Sequence, residues 1–178
     1  MLIYGGTEFS YAQDADFIGT SSSPKFWREV IDKFYDKYRG INEQHNAWMR
    51  EAIETGQLLM PTGRIYEYYP DEHFNWPRTQ ILNYPVQGLG QDIMSVVRVL
   101  VHKRLKGLSH VELVSTVHDS IYTDCKMERM DTVVQAYKEA FEETPSVFSK
   151  LFGVNFNVPL RCEISIGDNM GEMNELKH

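Results

Sequence analysis

Apolar residues recur at helical spacing in the first third of the chain. Ser23 caps the first such segment and Pro24 opens it, which are positions that these residue types favour at the start of a helix. Gly40 is predicted to end this helix, and a second helix is predicted over residues 42–55, with Gly56 at its end. The positions predicted to face inward are Phe26, Val30, Ile31, Phe34, Tyr35 and Tyr38, followed by Trp48, Met49, Ala52 and Ile53.

From residue 57 the apolar pattern changes period. Segments 57–60 and 64–68 flank a Pro-Thr-Gly turn at 61–63, and this arrangement predicts a β-hairpin. The longest helix is predicted over residues 85–106, with Gly107 as its end. Its inward positions are Val86, Leu89, Ile93, Val96, Val97, Leu100 and Leu105.

The last third of the chain predicts a second hairpin, because the β-rich segments 113–117 and 120–125 flank a tight turn that contains Asp119. Two further helices over 128–143 and 146–152 and a closing strand over 158–166 complete the prediction. The fold class is therefore α+β: an antiparallel sheet with packed helices, plus a helical N-terminal part.

Composition narrows the function. The chain has 178 residues and 42% apolar residues, enough for one large domain with a core. Its net charge of -7 counts against a simple electrostatic nucleic-acid binder, although a local basic face stays open. Cys125 and Cys162 lie in alternating apolar segments and are interpreted as buried, reduced thiols. No segment resembles a signal peptide or a membrane span, so we expect a cytoplasmic protein with no membrane partner.

The most informative candidate residue is Asp119, at the tip of the second predicted hairpin. An aspartate at such a tip is commonly a turn former, because its side chain can bond the local backbone. The alternative is a ligand for Mg²⁺, which usually takes one or two protein carboxylates together with substrate phosphates. The adjacent His118 could donate a hydrogen bond to a phosphate or sugar oxygen.

A second candidate segment opens the long predicted helix. Gly88 and Gly90 are unfavourable inside a helix, which indicates a close approach by another backbone or a ligand. Gln87 and Gln91 lie one turn apart on one face, where amides are most often only solvated but could also reach base edges in a groove.

Two further features have an ordinary explanation and a functional one. Tyr4, next to Gly5 and Gly6, is either a packed aromatic residue or a stacking platform for a base. Basic residues near the end of the long helix most often complement the helix dipole, and these are Arg98, His102, Lys103, Arg104 and Lys106.

Taken in order, these elements resemble the C-terminal part of a family A DNA polymerase of the DNA polymerase I type, particularly the phage members. The segment 2–5 resembles the end of the family's fingers motif, and 61–66 resembles its Gly-Arg hairpin. Residues 83–92 resemble its Asn-x-Pro-x-Gln-Gly palm helix, 117–119 its Val-His-Asp motif, and 159–167 its last palm strand. The resemblance runs over essentially the whole chain.

The resemblance implies a reaction and its catalytic residues. The family joins a primer 3′-hydroxyl to the α-phosphate of a deoxynucleoside triphosphate, using two Mg²⁺ ions. Asp119 would be a metal ligand, and the only one in this chain, while His118 would contact the primer terminus.

The resemblance also implies contacts with primer–template DNA. Asn83 and Gln87 would touch its minor groove near the growing end. Tyr4 would stack at the insertion site, and Gly5 would allow close approach of the template.

The chain departs from the family at several positions. Ser120 replaces a glutamate, with a modest expected effect, and Gln91 replaces a small residue before an aspartate. Arg78 lies one position away from the family's arginine, so its role carries over only weakly.

The largest departure is at the beginning, where Met1 stands in place of the middle of the fingers helix. The family's first metal-binding aspartate and its triphosphate-binding fingers residues have no counterpart. The resemblance therefore implies a fingers part over 1–56 and a palm over 57–178, with an N-terminal polymerase half needed in cis or in trans.

Three functions compete at this point. The first is the C-terminal fingers and palm portion of a DNA polymerase from a bacterium or a phage-infected host, active only when completed. The second is a non-catalytic palm that binds DNA or a partner protein. The third is a metal-dependent nuclease built around Asp119 with Asp124, Glu163 or Asp168, whose spacing does not mark a nuclease set.

Overall fold

The computed structural model describes residues 2–17 and 19–176. The expectation that concerns Met1 therefore lies outside the described residues. The chain divides into two compact units, Met1–Leu89 and Gly90–His178. None of the helices in the described part of the chain combines the length and apolar character of a membrane span.

The first unit is mainly helical. Its elements are a 3₁₀ turn (Leu2–Tyr4), α1 (Glu8–Gln13), a second 3₁₀ turn (Ala15–Phe17), α2 (Pro24–Lys37), α3 (Arg39–Thr55), β1 (Gln57–Leu59), β2 (Ile65–Glu67) and the start of α4 (Arg78–Leu105). Thr7 forms a capping box with Ser10 at the start of α1. Gly56 ends α3 in the left-handed conformation with φ +75°, as predicted.

The boundary between α2 and α3 differs from the prediction. Gly40 does not end a helix, because it lies in the first turn of α3. The break falls instead at Tyr38, whose backbone angles (φ -116°, ψ 62°) are not helical. Three residues predicted to face inward are exposed, namely Phe26, Tyr38 and Ile53.

Two apolar clusters hold this unit together. Tyr11, Trp27 and Ile31 join α1 to α2. The second cluster joins α3, the β1–β2 hairpin and α4 through Ala52, Leu58, Tyr68, Ile81 and Leu82. The predicted hairpin is confirmed, since β1 and β2 pair antiparallel with Leu58 opposite Tyr66.

The second unit combines hairpins with two long helices. After the remainder of α4 come β3 (Val111–Val117), β4 (Ser120–Cys125), a 3₁₀ turn (Met127–Arg129), α5 (Met130–Phe152), β5 (Ser165–Ile166) and β6 (Asn174–Glu175). α4 begins before the predicted start, and Pro85 lies within it.

The prediction of two separate helices in 128–152 is wrong, because α5 continues through Pro145. The proline costs the helix one backbone hydrogen bond. On either side of it, the Thr144 hydroxyl donates to the Ala140 carbonyl oxygen at 2.7 Å, and Phe148 is only 1% exposed. Burial on the C-terminal side of the proline therefore keeps the helix continuous.

The strands form separate ladders within the α+β class. The structure has β1–β2, β3–β4 and β5–β6 as three two-stranded antiparallel sheets. Of the strand predicted over 158–166, only Ser165–Ile166 belongs to a ladder, and its partner is Asn174–Glu175. Residues 158–164 have no strand assignment, although their burial alternates with the period of a strand.

Candidate metal and nucleic-acid site

The β3–β4 hairpin places two candidate residues at its tip, as the sequence predicts. Val117 pairs with Ser120, so that His118 and Asp119 form a two-residue turn. His118 has φ +52°, a left-handed conformation that is uncommon for a residue other than glycine. Backbone strain of this kind is concentrated at functional sites.

Asp119 is an exposed carboxylate beside the exposed imidazole of His118. Among the described residues, no three His, Cys, Asp or Glu side chains are grouped closely enough to hold a metal ion. Mg²⁺ usually takes one or two protein carboxylates together with phosphate oxygens. Asp119 therefore fits the role of a single ligand, and the described residues do not form a complete metal site.

The N-terminal turn closes tightly on helix α4. Gly5 has φ +78°, and a Cβ atom built at this position would lie 2.8 Å from Leu82 Cδ1. Both the backbone angle and this close approach require glycine. Tyr4 lies next to it and is half-buried.

A buried histidine anchors the same turn. His45 Nε2 lies 3.2 Å from the Ile3 carbonyl oxygen, and its Nδ1 lies 3.1 Å from the Tyr35 hydroxyl. A carbonyl oxygen can only accept, so Nε2 carries the proton and the neutral Nδ1 accepts from Tyr35. Burial lowers the pKa of His45 from its ordinary value, which favours this neutral form.

The sequence analysis did not single out His45, although the sequence carries a signal for it. His45 precedes Trp48, Met49 and Ala52 at spacings of three, four and seven residues. This spacing places it on the apolar face of α3. A histidine at such a position needs polar partners.

Asn83 and Gln87 lie one turn apart on α4. Gln87 is exposed, whereas Asn83 is half-buried. The Oδ1 atom of Asn83 is buried and has no hydrogen-bond partner among the described residues. Such an acceptor is costly unless another group bonds it.

The two glycines of α4 have different surroundings. A Cβ atom at Gly88 would lie 1.7 Å from the Tyr66 hydroxyl oxygen, so β2 makes the close approach expected from the sequence. A Cβ atom at Gly90 would have no neighbour within 4 Å. Tyr66 also belongs to an aromatic cluster with Tyr68 and Tyr84.

The basic cluster at the end of α4 is only partly exposed. Arg104 pairs with Glu143 and, at 3.4 Å, with Glu139. It therefore connects α4 to α5. Hydrogen bonding to Glu143 raises the pKa of Arg104. The other members of the cluster are exposed, namely Arg98, His102, Lys103 and Lys106.

The predicted site residues thus fall into two groups. Tyr4, Gly5, Asn83 and Gln87 belong to the unit Met1–Leu89. Here the Tyr4–Gly5 turn packs on Leu82, the residue before Asn83. The turn of His118 and Asp119 belongs to the unit Gly90–His178.

Comparison with known proteins gives one family. The family model described as DNA polymerase family A matches residues 1–172. The DNA polymerase of Bacillus phage SP01 is 33% identical over 184 residues, which cover 96% of this chain and 19% of that protein. DNA polymerase I of Aquifex aeolicus is 25% identical over 170 residues, covering 94% of this chain and 28% of that protein.

A solved structure shares the fold. The POL domain of Pol1 from M. smegmatis, in complex with DNA primer-template and dNTP, superposes with a TM-score of 0.68 at 18% identity. The superposition covers 80% of this chain and 25% of the other. The chain therefore spans less than a third of the length of these relatives.

Proposed function

Because the chain belongs to DNA polymerase family A, we propose that it is the fingers and palm portion of a template-directed DNA polymerase. Residues 1–56 would contribute to the fingers and residues 57–178 would form the palm. The rest of the enzyme, in the same or a separate polypeptide, would complete the active site. Such an enzyme would act in the cytoplasm of a bacterium or a phage-infected host.

The position of Asp119 carries this proposal. It is an exposed carboxylate at the tip of a hairpin, in the Val-His-Asp sequence that resembles a polymerase motif. Asp119 would hold one of two Mg²⁺ ions, which when bound neutralise charge on the triphosphate and activate the primer 3′-hydroxyl. The other protein ligands would come from the remainder of the polymerase.

His118 would position the primer terminus. Its φ of +52° fixes the direction in which the imidazole leaves the turn, next to Asp119. A ring nitrogen could then donate a hydrogen bond to a sugar or phosphate oxygen of the primer. The neighbouring Ser120 is exposed and could order a water molecule where the family has a glutamate.

Residues of the first unit would hold the primer–template and the incoming nucleotide. Gln87 would donate to base edges in the minor groove, and Asn83 would contribute the buried oxygen that lacks a partner among the described residues. Tyr4 would stack at the insertion site. Gly5, in contact with Leu82, would let the template pass close to the backbone.

Primer extension tests the proposal. The chain is incubated with Mg²⁺, four deoxynucleoside triphosphates and a primed template, with and without a polypeptide that supplies the remaining polymerase domains. We expect extension only in the complemented reaction. The substitution Asp119→Ala should reduce extension at least about 100-fold, a loss typical of removing a group that stabilises a transition state.

The matched control is Asp124→Ala, since Asp124 is an exposed carboxylate of the same strand. This variant should extend primers like the unsubstituted chain. Equal activity of the Asp119 and Asp124 variants would contradict the assignment of Asp119 as the metal ligand.

A non-catalytic role is the alternative, because the described residues contain no group of three potential metal ligands. A palm that only binds DNA or a partner protein would bind primer–template equally well after Asp119→Ala. It would also gain no activity in a complex that has demonstrably formed. Extension that depends on Asp119 would exclude this function.

A further inference from the structure

The second unit contains a cleft of about 690 Å³ beside the outer edge of strand β4. One wall is β4, and the opposite wall comprises residues 163–168. Helix α5 contributes apolar and aromatic side chains to the cleft, namely Met130, Val133, Val134 and Tyr137. The cleft therefore lies between two segments with strand character and is lined by a helix.

The backbone of β4 faces this cleft with hydrogen-bonding groups. β4 pairs only with β3 among the described residues. Ser120 closes the ladder with Val117, and the Lys126 N–H donates to the His110 carbonyl oxygen at 3.1 Å. Since successive residues of a strand point their amides to opposite sides, the outward N–H groups belong to Ile121, Thr123 and Cys125. These same residues line the cleft.

The opposite wall has the pattern of a strand but not the pairing. Leu160, Cys162 and Ile164 are half-buried, whereas Arg161 and Glu163 are exposed. This period-two alternation is typical of a strand with one buried face. The segment joins a ladder only at its end, where the Leu176 N–H donates to the Ile164 carbonyl oxygen at 2.7 Å.

We propose that this cleft is the docking site of an additional β-strand, which pairs with the outer edge of β4. The occupant is a strand from the polymerase domains that the relatives possess beyond the span of this chain, so this inference rests on the proposed function. The matched relatives extend well beyond that span, since it covers only 19–28% of their lengths. They therefore have ample chain to supply such a strand.

The lining defines the chemistry of the occupant. Side chains on one face of the added strand would meet Val133, Val134 and the ring of Tyr137, so apolar residues are expected at alternate positions. Its backbone would bond the outward groups of β4, which supply affinity independently of sequence. An unpaired edge of this kind is otherwise a site of aggregation.

Amide hydrogen exchange of the whole chain tests the docking. The probe is the portion of the Bacillus phage SP01 polymerase outside the matched 184 residues, added as a separate polypeptide. Without the probe, we expect the amides of Ile121, Thr123 and Cys125 to exchange at least about 10-fold faster than those of Tyr122 and Asp124, which face β3. With the probe, the three outward amides should become protected.

A pair of substitutions isolates the backbone contact. Thr123→Pro removes an outward N–H and is tolerated best on an edge strand, whereas Thr123→Ala keeps the N–H. Both remove the Thr123 hydroxyl, which lies 2.6 Å from the Tyr137 hydroxyl. We expect Thr123→Pro to weaken probe binding at least about 10-fold relative to Thr123→Ala.

The outcomes separate this inference from the proposed function when primer extension is measured in the same mixtures. Extension without protection of the outward amides would overturn the strand-docking inference and leave the polymerase function intact. Protection without extension would support docking and count against the function.

Two further outcomes would also overturn the inference. One is protection of the outward amides in the isolated chain, which would show that the edge is already covered by this chain or by a second copy of it. The other is failure of the probe to protect these amides when it does dock the matched segment of the SP01 polymerase.

Discussion

At the scale of single residues, glycines of one helix have different functions. Gly88 and Gly90 lie two positions apart on α4, yet only Gly88 is in contact with another element. The Tyr66 hydroxyl occupies the space that a side chain at Gly88 would need. Gly88 therefore fixes the approach of β2 to α4 next to Gln87, a proposed DNA contact.

Substituting these two glycines by alanine should change stability in opposite directions. We expect Gly88→Ala to lower the free energy of unfolding by about 1–3 kcal/mol, the usual cost of overpacking. Gly90→Ala should raise it by about 0.5–1 kcal/mol, because alanine has the higher helix propensity and its Cβ meets nothing. Urea denaturation measures both values. A Gly88→Ala variant as stable as the unsubstituted chain would contradict the close contact with Tyr66.

At the scale of elements, His45 holds the N-terminal 3₁₀ turn against α2 and α3. Its two ring nitrogens connect the Ile3 carbonyl oxygen to the Tyr35 hydroxyl. The turn carries Tyr4 and Gly5, so the neutral form of one buried side chain positions both proposed nucleotide contacts.

The stability of this arrangement should depend on pH. Burial lowers the pKa of His45 in the folded state, so below the ordinary value of about 6.5 the unfolded chain binds more protons. The contribution of His45 is therefore complete above about pH 6.5 and is lost as the pH falls, by at most about 1.4 kcal/mol per pH unit.

Urea denaturation between pH 5 and pH 7.5 measures this dependence. His45→Gln should be less stable at pH 7.5 but should lose less stability on acidification than the unsubstituted chain. The control is His102→Gln, at an exposed position of α4, which should retain the full pH dependence. An unchanged pH dependence in His45→Gln would contradict the buried neutral state.

At the scale of the whole molecule, charge limits what this chain can bind by itself. The net charge is -7, and Arg104 is paired with glutamates of α5. The exposed cations at the end of α4 include Arg98, Lys103 and Lys106. Most of the phosphate contacts of a complete polymerase would therefore come from its other domains.

Salt dependence of DNA binding tests this division. The logarithm of affinity falls with the logarithm of salt concentration by about 0.9 for each duplex phosphate contacted. We expect a shallower slope for the isolated chain than for the complemented complex, as measured by fluorescence anisotropy on a primed duplex between 50 and 200 mM salt (about the range used to resolve such slopes). Equal slopes would show that this chain carries the phosphate-binding surface.

The sequence by itself determined the features that depend on neighbouring residues. Period and turn chemistry predicted both hairpins, including the turn of His118 and Asp119, and the ends of α3 at Gly56 and of α4 near Gly107. The order of the motifs indicated the polymerase family, which the family model confirms over residues 1–172. Local patterns carry such information because turn angles and helix caps are set within a few residues.

The tertiary structure decided what depends on distant partners. Burial of Phe148 carries α5 through Pro145, where local chemistry predicted a break. The partners of His45 and the neighbour of Gly88 come from other elements and leave no signal at fixed spacing. Residues 158–164 keep the period of a strand outside any ladder, because pairing requires a second strand at the right distance as well as a suitable pattern.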